Sequence, residues 1–397
     1  MTYLEESQAA GRHLFPDLAR AFALIGIALV NVGAIAYTMD LSYTADALAA
    51  PIDSAAYFGV NALFLMKSYT LFSFMFGVGF AFQMQSAERS GAKFSGRYWR
   101  RIIGLLVFGL INVAFLFAGD ILVIYAILGS IIFLFRNAST KALTTWAIWL
   151  YVLQFVLIAL LAGLMVLGAT FDPEGFAAEN DLMFENAVNA AAIFGDGTFT
   201  QSIARRFQDW SMVVTFGILI QGIGALSFFL FGFAAVRHGT ISNPFAPIWK
   251  KFRWRALPIG LIISAAGAYQ MMGATSMMDP NMIIGIALIT LGSPFSTAGY
   301  LGLIAKWSTS PDGPIKTFLA RGGTASLTAY LMQGLLLSLV FNAYGLGFFG
   351  ELGATTCIAI AFGVALFTIA FASLWRTKFK RGPLEHILRT WTYLGSR

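Results

Sequence analysis

The stretch TWAIWLYVLQFVLIALLAGLMVLGAT, residues 145–170, decides the fold class, because its 26 residues include no charged side chain and one amide, Gln154. An α-helix needs about 20 apolar residues to cross a hydrocarbon core of roughly 30 Å, so this segment is long enough to span a bilayer. Strands of a membrane barrel alternate apolar and polar residues. Here the apolar run is continuous, and a backbone inside lipid must then satisfy its own hydrogen bonds within a helix. Comparable runs recur along the chain. Of 397 residues, 58% are hydrophobic and 11% charged, and the mean hydropathy is +0.74. Soluble domains carry roughly 25% charged residues, so composition excludes a water-soluble fold. The expectation is an all-α, polytopic membrane protein forming one transmembrane domain over residues 1–397.

The runs predict about ten transmembrane helices, near residues 18–37, 57–83, 102–118, 122–135, 145–170, 212–236, 257–272, 282–305, 325–341 and 355–374. The fourth is short and the second contains Lys67, so a half-helix or re-entrant piece fits either place. Alternate loops separate by charge. One side carries Arg12 and Arg20, then Arg89 to Arg101, Arg136 and Lys141, Arg237 to Arg255, Lys306 to Arg321, and the tail over 376–397. The other carries Asp40, Asp46, Asp53, Asp120, Asp279 and Glu351, with Arg205 and Arg206 as the exceptions. The positive-inside rule then places both termini and the tail in the cytoplasm, N-in/C-in. Segment 171–211 becomes the one sizeable extracytoplasmic loop. Its Ala-rich middle, Asn186 to Ile193, suits a surface helix; a lid and a passive connector are both open, the connector being the simpler. Ala47-Leu48-Ala49 looks like a cleavage site but lies beyond the first apolar run, which we read as a retained helix. The net charge of +7 is accounted for by these loops, so nucleic acid is not an expected partner.

Cys357 is the only cysteine and His13, His238 and His386 the only histidines, all three in cytoplasmic segments. No metal site and no outward-facing histidine catalysis is expected from such a set. Lys67 interrupts an apolar run, where a charge faces a cavity or partner, or snorkels if the helix starts later. Asp17 opens the first span with Arg20 one turn on, a pattern that suits helix capping and a local ion pair. Asn31 lies deep in the first helix, where its amide needs an interhelical partner or a ligand, structural contact being the simpler role. Asp120, after Gly119, suits the cap of the fourth helix. Asn112, two turns earlier, would border one external cavity with Asp120 and Asn31. Phe74-Met75-Phe76-Gly77 and Phe229-Leu230-Phe231-Gly232 echo one another, but with 38 Phe and 40 Gly in the chain the echo is attributed to chance.

Leu71-Phe72-Ser73, Phe76-Gly77-Val78-Gly79-Phe80, Trp99-Arg100-Arg101, Gly119-Asp120-Ile121-Leu122 with Tyr125-Ala126, Leu327-Thr328-Ala329-Tyr330 and Gly382-Pro383-Leu384-Glu385 together resemble the YeiB-like family of bacterial membrane proteins, also called domain of unknown function 418. The resemblance implies a bacterial inner-membrane location and a relation to the transmembrane acyltransferases, among them the lysosomal enzyme that acetylates heparan sulfate, in which a cytosolic acyl-CoA donates to an acceptor on the far side. Such enzymes use a membrane-embedded Asn and His. Asn31, in Leu29-Val30-Asn31, matches the Asn. Residues 38–56 lack the expected His, and the His of a Gly-Leu-x-His stretch is replaced by Asn112, which cannot serve as a base.

The resulting expectation is an acyltransferase-like protein. Asn31, Asp120 and Asn112 are its catalytic candidates, Lys67, Tyr125, Asp17 and Arg20 its substrate-binding candidates, and Arg97, Arg100 and Arg101 the holders of acyl-CoA phosphates. Its partners are the lipid bilayer, a small-molecule or lipid-like acceptor and, by resemblance to related proteins, a second copy in a homodimer. The alternative is a transporter or flippase in which the same polar residues line a pathway; a lipid-binding scaffold is the non-catalytic alternative.

Overall fold

The computed structural model describes residues 14–38, 44, 46–91 and 93–394; Arg12, His13, Asp40 and the last three residues of the tail lie outside them. Among the described residues every regular element is helical. In chain order they are α1 (Phe15–Ala36), α2 (Pro51–Leu63), α3 (Lys67–Arg89), α4 (Phe94–Phe115), α5 (Ile121–Ile132), α6 (Thr140–Phe171), α7 (Pro173–Asp196) and α8 (Phe199–Gly217). These are followed by α9 (Ile223–Arg237), α10 (Pro247–Lys251), α11 (Leu257–Met272), α12 (Pro280–Ser308), α13 (Pro314–Gly323), α14 (Ser326–Phe341), α15 (Ala354–Lys378) and α16 (Pro383–Thr392).

Each predicted apolar stretch falls on a helix. Among the described residues seven helical runs are long and apolar enough to cross a membrane, and an eighth results if α13 and α14, bent by 85° at their junction, count as one. Two predicted stretches form shorter apolar helices, α5 and the 16-residue α11. Helix starts follow local chemistry. Proline opens α2, α7, α12, α13 and α16, where its missing N–H has no intrahelical partner to lose. Asp120, Ser139, Asp172, Thr198 and Asp279 accept backbone N–H groups at the starts of α5, α6, α7, α8 and α12. Asp17 departs from the expectation of a cap. Leu14 holds that position in α1, and Asp17 sits one turn inside, paired with Arg20 at 2.9 Å.

The second predicted span is broken. Between α2 and α3, Met66 takes φ 66°, a left-handed conformation unusual for a non-glycine residue. The break frees carbonyls that must find donors inside an apolar environment. Lys67 Nζ donates to the Asn61 carbonyl at 3.3 Å, and Tyr300 Oη donates to that of Leu63 at 2.8 Å.

Packing relies on close backbone approach, as expected where no hydrophobic effect drives helices together. The two segments that echo one another in sequence meet in the structure. A Cβ on Gly77 would lie 1.9 Å from the Phe229 carbonyl oxygen, and one on Gly232 would lie 2.0 Å from that of Phe74. α3 and α9 thus meet through the two echoing segments in reciprocal fashion, with Phe76 stacked on Phe229 at 4.3 Å. α11 and α12 use a second seam, pairing Gly267 with Gly285 and Gly260 with Gly292.

Segment 171–211, expected as a connecting loop with a helix in its Ala-rich middle, is largely helical, and α7 contains that middle. α7 lies on the end of the bundle, its Asn180 accepting from Ser276 and the Phe194 carbonyl accepting from the Ala343 N–H. α8 then begins at Phe199, well before the predicted start at 212. At the opposite end, α16 returns to the bundle. The Glu385 carboxylate accepts from Leu327 N–H (2.7 Å), Thr328 N–H (3.1 Å) and Thr328 Oγ1 (2.6 Å), capping α14 from a distant part of the chain.

Candidate functional site

α4 ends close to α5 because Gly109 leaves no side chain between them; a Cβ there would stand 2.7 Å from the Val123 nitrogen. The close turn carries Asp120 into the interior, with 1% of its surface exposed. One carboxylate oxygen accepts the Val123 N–H at 2.9 Å. The other accepts Asn112 Nδ2 at 2.6 Å and Tyr330 Oη at 3.3 Å. The carboxyl thus sits at the α5 N-terminus, where the helix dipole favours negative charge.

Asn112 spends its amide N–H on Asp120, and its Oδ1 is buried without a hydrogen-bond partner. It faces a cavity of about 10 Å³ between α1, α4 and α14, lined by Asn31, Asn112, Tyr330, Gln333 and apolar neighbours. The cavity is close to the minimum that admits one water-sized group. Gln333 donates from Nε2 to Thr368 Oγ1 at 3.3 Å and leaves Oε1 buried and unpartnered. Three amides therefore converge, two of them with unused acceptors. Such groups are costly to bury without a partner and can hold a polar ligand by hydrogen bonds.

Of the predicted site residues, the structure brings together Asn31 and Asn112, with Asp120 one hydrogen bond behind the cavity wall. The others lie apart. Lys67, 1% exposed, is engaged at the α2–α3 break. Tyr125 is a core residue, its Oη bonded to Ser73 Oγ at 2.6 Å and its ring against Phe76 and Phe229. Asp17 and Arg20 pair near the start of α1. Arg97 lies over the Tyr393 ring at 4.7 Å, and Arg100 donates to the Leu394 carbonyl while its own carbonyl accepts Trp391 Nε1 at 2.8 Å. Both arginines hold the tail helix. Arg101 turns inward instead, 5.8 Å from the Phe76 ring. Among the described residues no histidine lines the cavity. Gln333 was missed, although a lone amide in an apolar run one turn from Tyr330 carries the same signal as Asn31.

Apolar helices of membrane-crossing length around a buried amide and carboxylate cluster define a multi-pass α-helical membrane protein with an internal polar site. Residues 235–395 match the family described as "Protein of unknown function (DUF418)". Over nearly its whole length the chain is similar to uncharacterized protein YxaH of Bacillus subtilis, at 29% identity covering 95% of this chain and 93% of the relative. It is likewise similar to uncharacterized protein YeiB of Escherichia coli, at 25% identity covering 96% of each. A protein encoded beside an amylase gene region of Bacillus acidopullulyticus matches at 24%, covering 95% of this chain and 92% of the relative. These findings support the YeiB-like, DUF418 family. No solved structure matches the chain.

Proposed function

We propose that this protein transfers an acyl group within the bacterial inner membrane, from a cytosolic acyl-CoA-type donor to a small or lipid-like acceptor. The observation that carries this reading is the Asn31–Asn112–Asp120 cluster, in which amides and a carboxylate share one buried site. Asn31 polarises the acyl carbonyl through its amide N–H. The acceptor's hydroxyl or amine attacks that carbonyl, its proton passes by way of the Tyr330 hydroxyl to Asp120, and as the C–S bond breaks a proton returns from Asp120 to the sulfur, which leaves as the thiol. The cavity is too small for these reactants, so α14 must move from α4 for them to enter. In this reading the chain crosses ten times with both termini cytoplasmic, and Arg101, the basic candidate that does not hold the tail helix, meets the donor from the cytoplasmic side. The relation to the transmembrane acyltransferases and assembly as a homodimer belong to the same proposal.

Calorimetric titration of acyl-CoA into the purified protein tests it, with Arg101→Ala as the comparison. Saturable binding weakened about tenfold in the variant, the loss of one charge-assisted contact, supports acyl transfer. Absence of binding favours the second reading, a transporter. That reading draws on the α2–α3 break and the 85° bend between α13 and α14, since discontinuous helices mark many transport sites.

A further inference from the structure

Arg205 and Arg206 stand against the charge pattern of the loops, and they differ in surroundings. Arg205 is satisfied: its Nε donates to Asp209 at 2.9 Å and its Nη1 to Asn189 at 3.2 Å, tying α8 to α7. Arg206 is 2% exposed, and no carboxylate lies within ion-pair distance of it among the described residues. Its Nη2 donates to Tyr344 Oη at 2.6 Å and, at 3.4 Å, to Ser338 Oγ and Asn342 Oδ1. Its Nη1 has no partner, although buried.

Two further groups share this condition. Ser202 Oγ and Trp210 Nε1 are buried and unpartnered, and with Arg206 they occupy positions i, i+4 and i+8 of α8, one side of the helix. All three can donate, and the guanidinium and indole can only donate. A buried cation beside unused donors is unfavourable unless an anion completes it, and a guanidinium with accessory N–H and O–H groups is the donor set that oxyanions select.

The position of these groups is also informative. Tyr330, Gly334 and Ser338 follow one another at four-residue spacing on α14 and share a face, with Asn342 capping the end of the helix. Tyr330 meets Asp120, a Cβ on Gly334 would lie 3.2 Å from Asn112 Oδ1, and Ser338 meets Arg206. The unpartnered donors therefore stand at the end of the polar stripe remote from the tail helix. We propose that Ser202, Arg206 and Trp210 form a binding site for an oxyanion, a phosphate or carboxylate group of a molecule presented at the end of the bundle opposite α16. The site is a matter of binding and stands whether the chain transfers acyl groups or carries a solute.

Thermal unfolding of the full-length protein in uncharged detergent, titrated with inorganic phosphate, acetate, or mixed micelles of phosphatidylglycerol against phosphatidylcholine, tests the proposal. Saturable stabilisation by phosphate or acetate identifies a soluble anion, and stabilisation by phosphatidylglycerol alone a lipid headgroup. In either case Arg206→Gln should raise the apparent Kd at least tenfold, as loss of a charge-assisted contact requires. If Arg206→Gln does not fold, the Ser202→Ala/Trp210→Phe double variant decides, with a Kd about threefold or more above the parent expected. No stabilisation by any of these anions, or an unchanged Kd in the variant that folds, overturns it.

Discussion

Asp120 joins three tasks in one side chain: it caps α5, orients Asn112 and receives the Tyr330 hydroxyl. Asp120→Ala removes a helix cap, about 1 kcal/mol, and strands a buried amide, about 1–3 kcal/mol. Thermal unfolding in detergent should register a loss of about 2–4 kcal/mol; a change below the cost of the cap alone would mean Asn112 finds another partner. Lys67 presents a contrasting case. Its ammonium satisfies a carbonyl freed by the α2–α3 break, so Lys67→Ala should destabilise by about 1–3 kcal/mol, whereas exposed Lys141→Ala should stay within about 0.5 kcal/mol. Lys67 was conspicuous in the sequence because a charge in an apolar run is expensive. Its role was hidden, because Met66 gives no sequence sign of a left-handed backbone.

Between helices, α3 and α9 meet through the two Phe-x-Phe-Gly segments, a contact that their likeness in sequence does not predict. Periodicity tells which residues share a helix face but not which helix that face meets, so the pairing is visible only in the structure. The test compares two neighbouring glycines. Gly77→Ala drives a methyl group into the Phe229 carbonyl and should cost about 1–3 kcal/mol. Gly79→Ala meets nothing nearer than the flexible end of Arg20 at 4.0 Å and should be neutral or slightly stabilising. Equal unfolding midpoints for the two variants would show that α3 and α9 do not approach so closely. In segment 171–211 the Ala-rich middle, Asn186 to Ile193, was expected to be helical and lies within α7, while the full extent of α7 and the early start of α8 were not foreseen, although Pro173 and the Thr198-x-x-Gln201 box mark them.

For the molecule as a whole, hydropathy located the long apolar helices but not the polar ones such as α7, and charge asymmetry gives an expected direction for them. Cysteines introduced at Asp196 and Arg253 in a Cys357→Ser background should react with membrane-impermeant maleimide from opposite sides, Asp196 from outside; reversed labelling would invert the topology. The site was only half legible. Asn31, Asn112 and Asp120 announce themselves as polar residues in or beside apolar runs, while Gln333 and Arg206 acquire meaning only once α14, which carries Gln333 and meets Arg206 at Ser338, is seen in place. The Glu385 contact with α14 carries a consequence for biogenesis. Leu327 leaves the ribosome 58 residues before its capping carboxylate, a delay of roughly 3–12 s at about 5–20 residues per second. For that interval α14 is inserted with open backbone donors at its start, a window in which an insertase or chaperone can hold it and in which a stalled or truncated nascent chain is recognisable as unfinished.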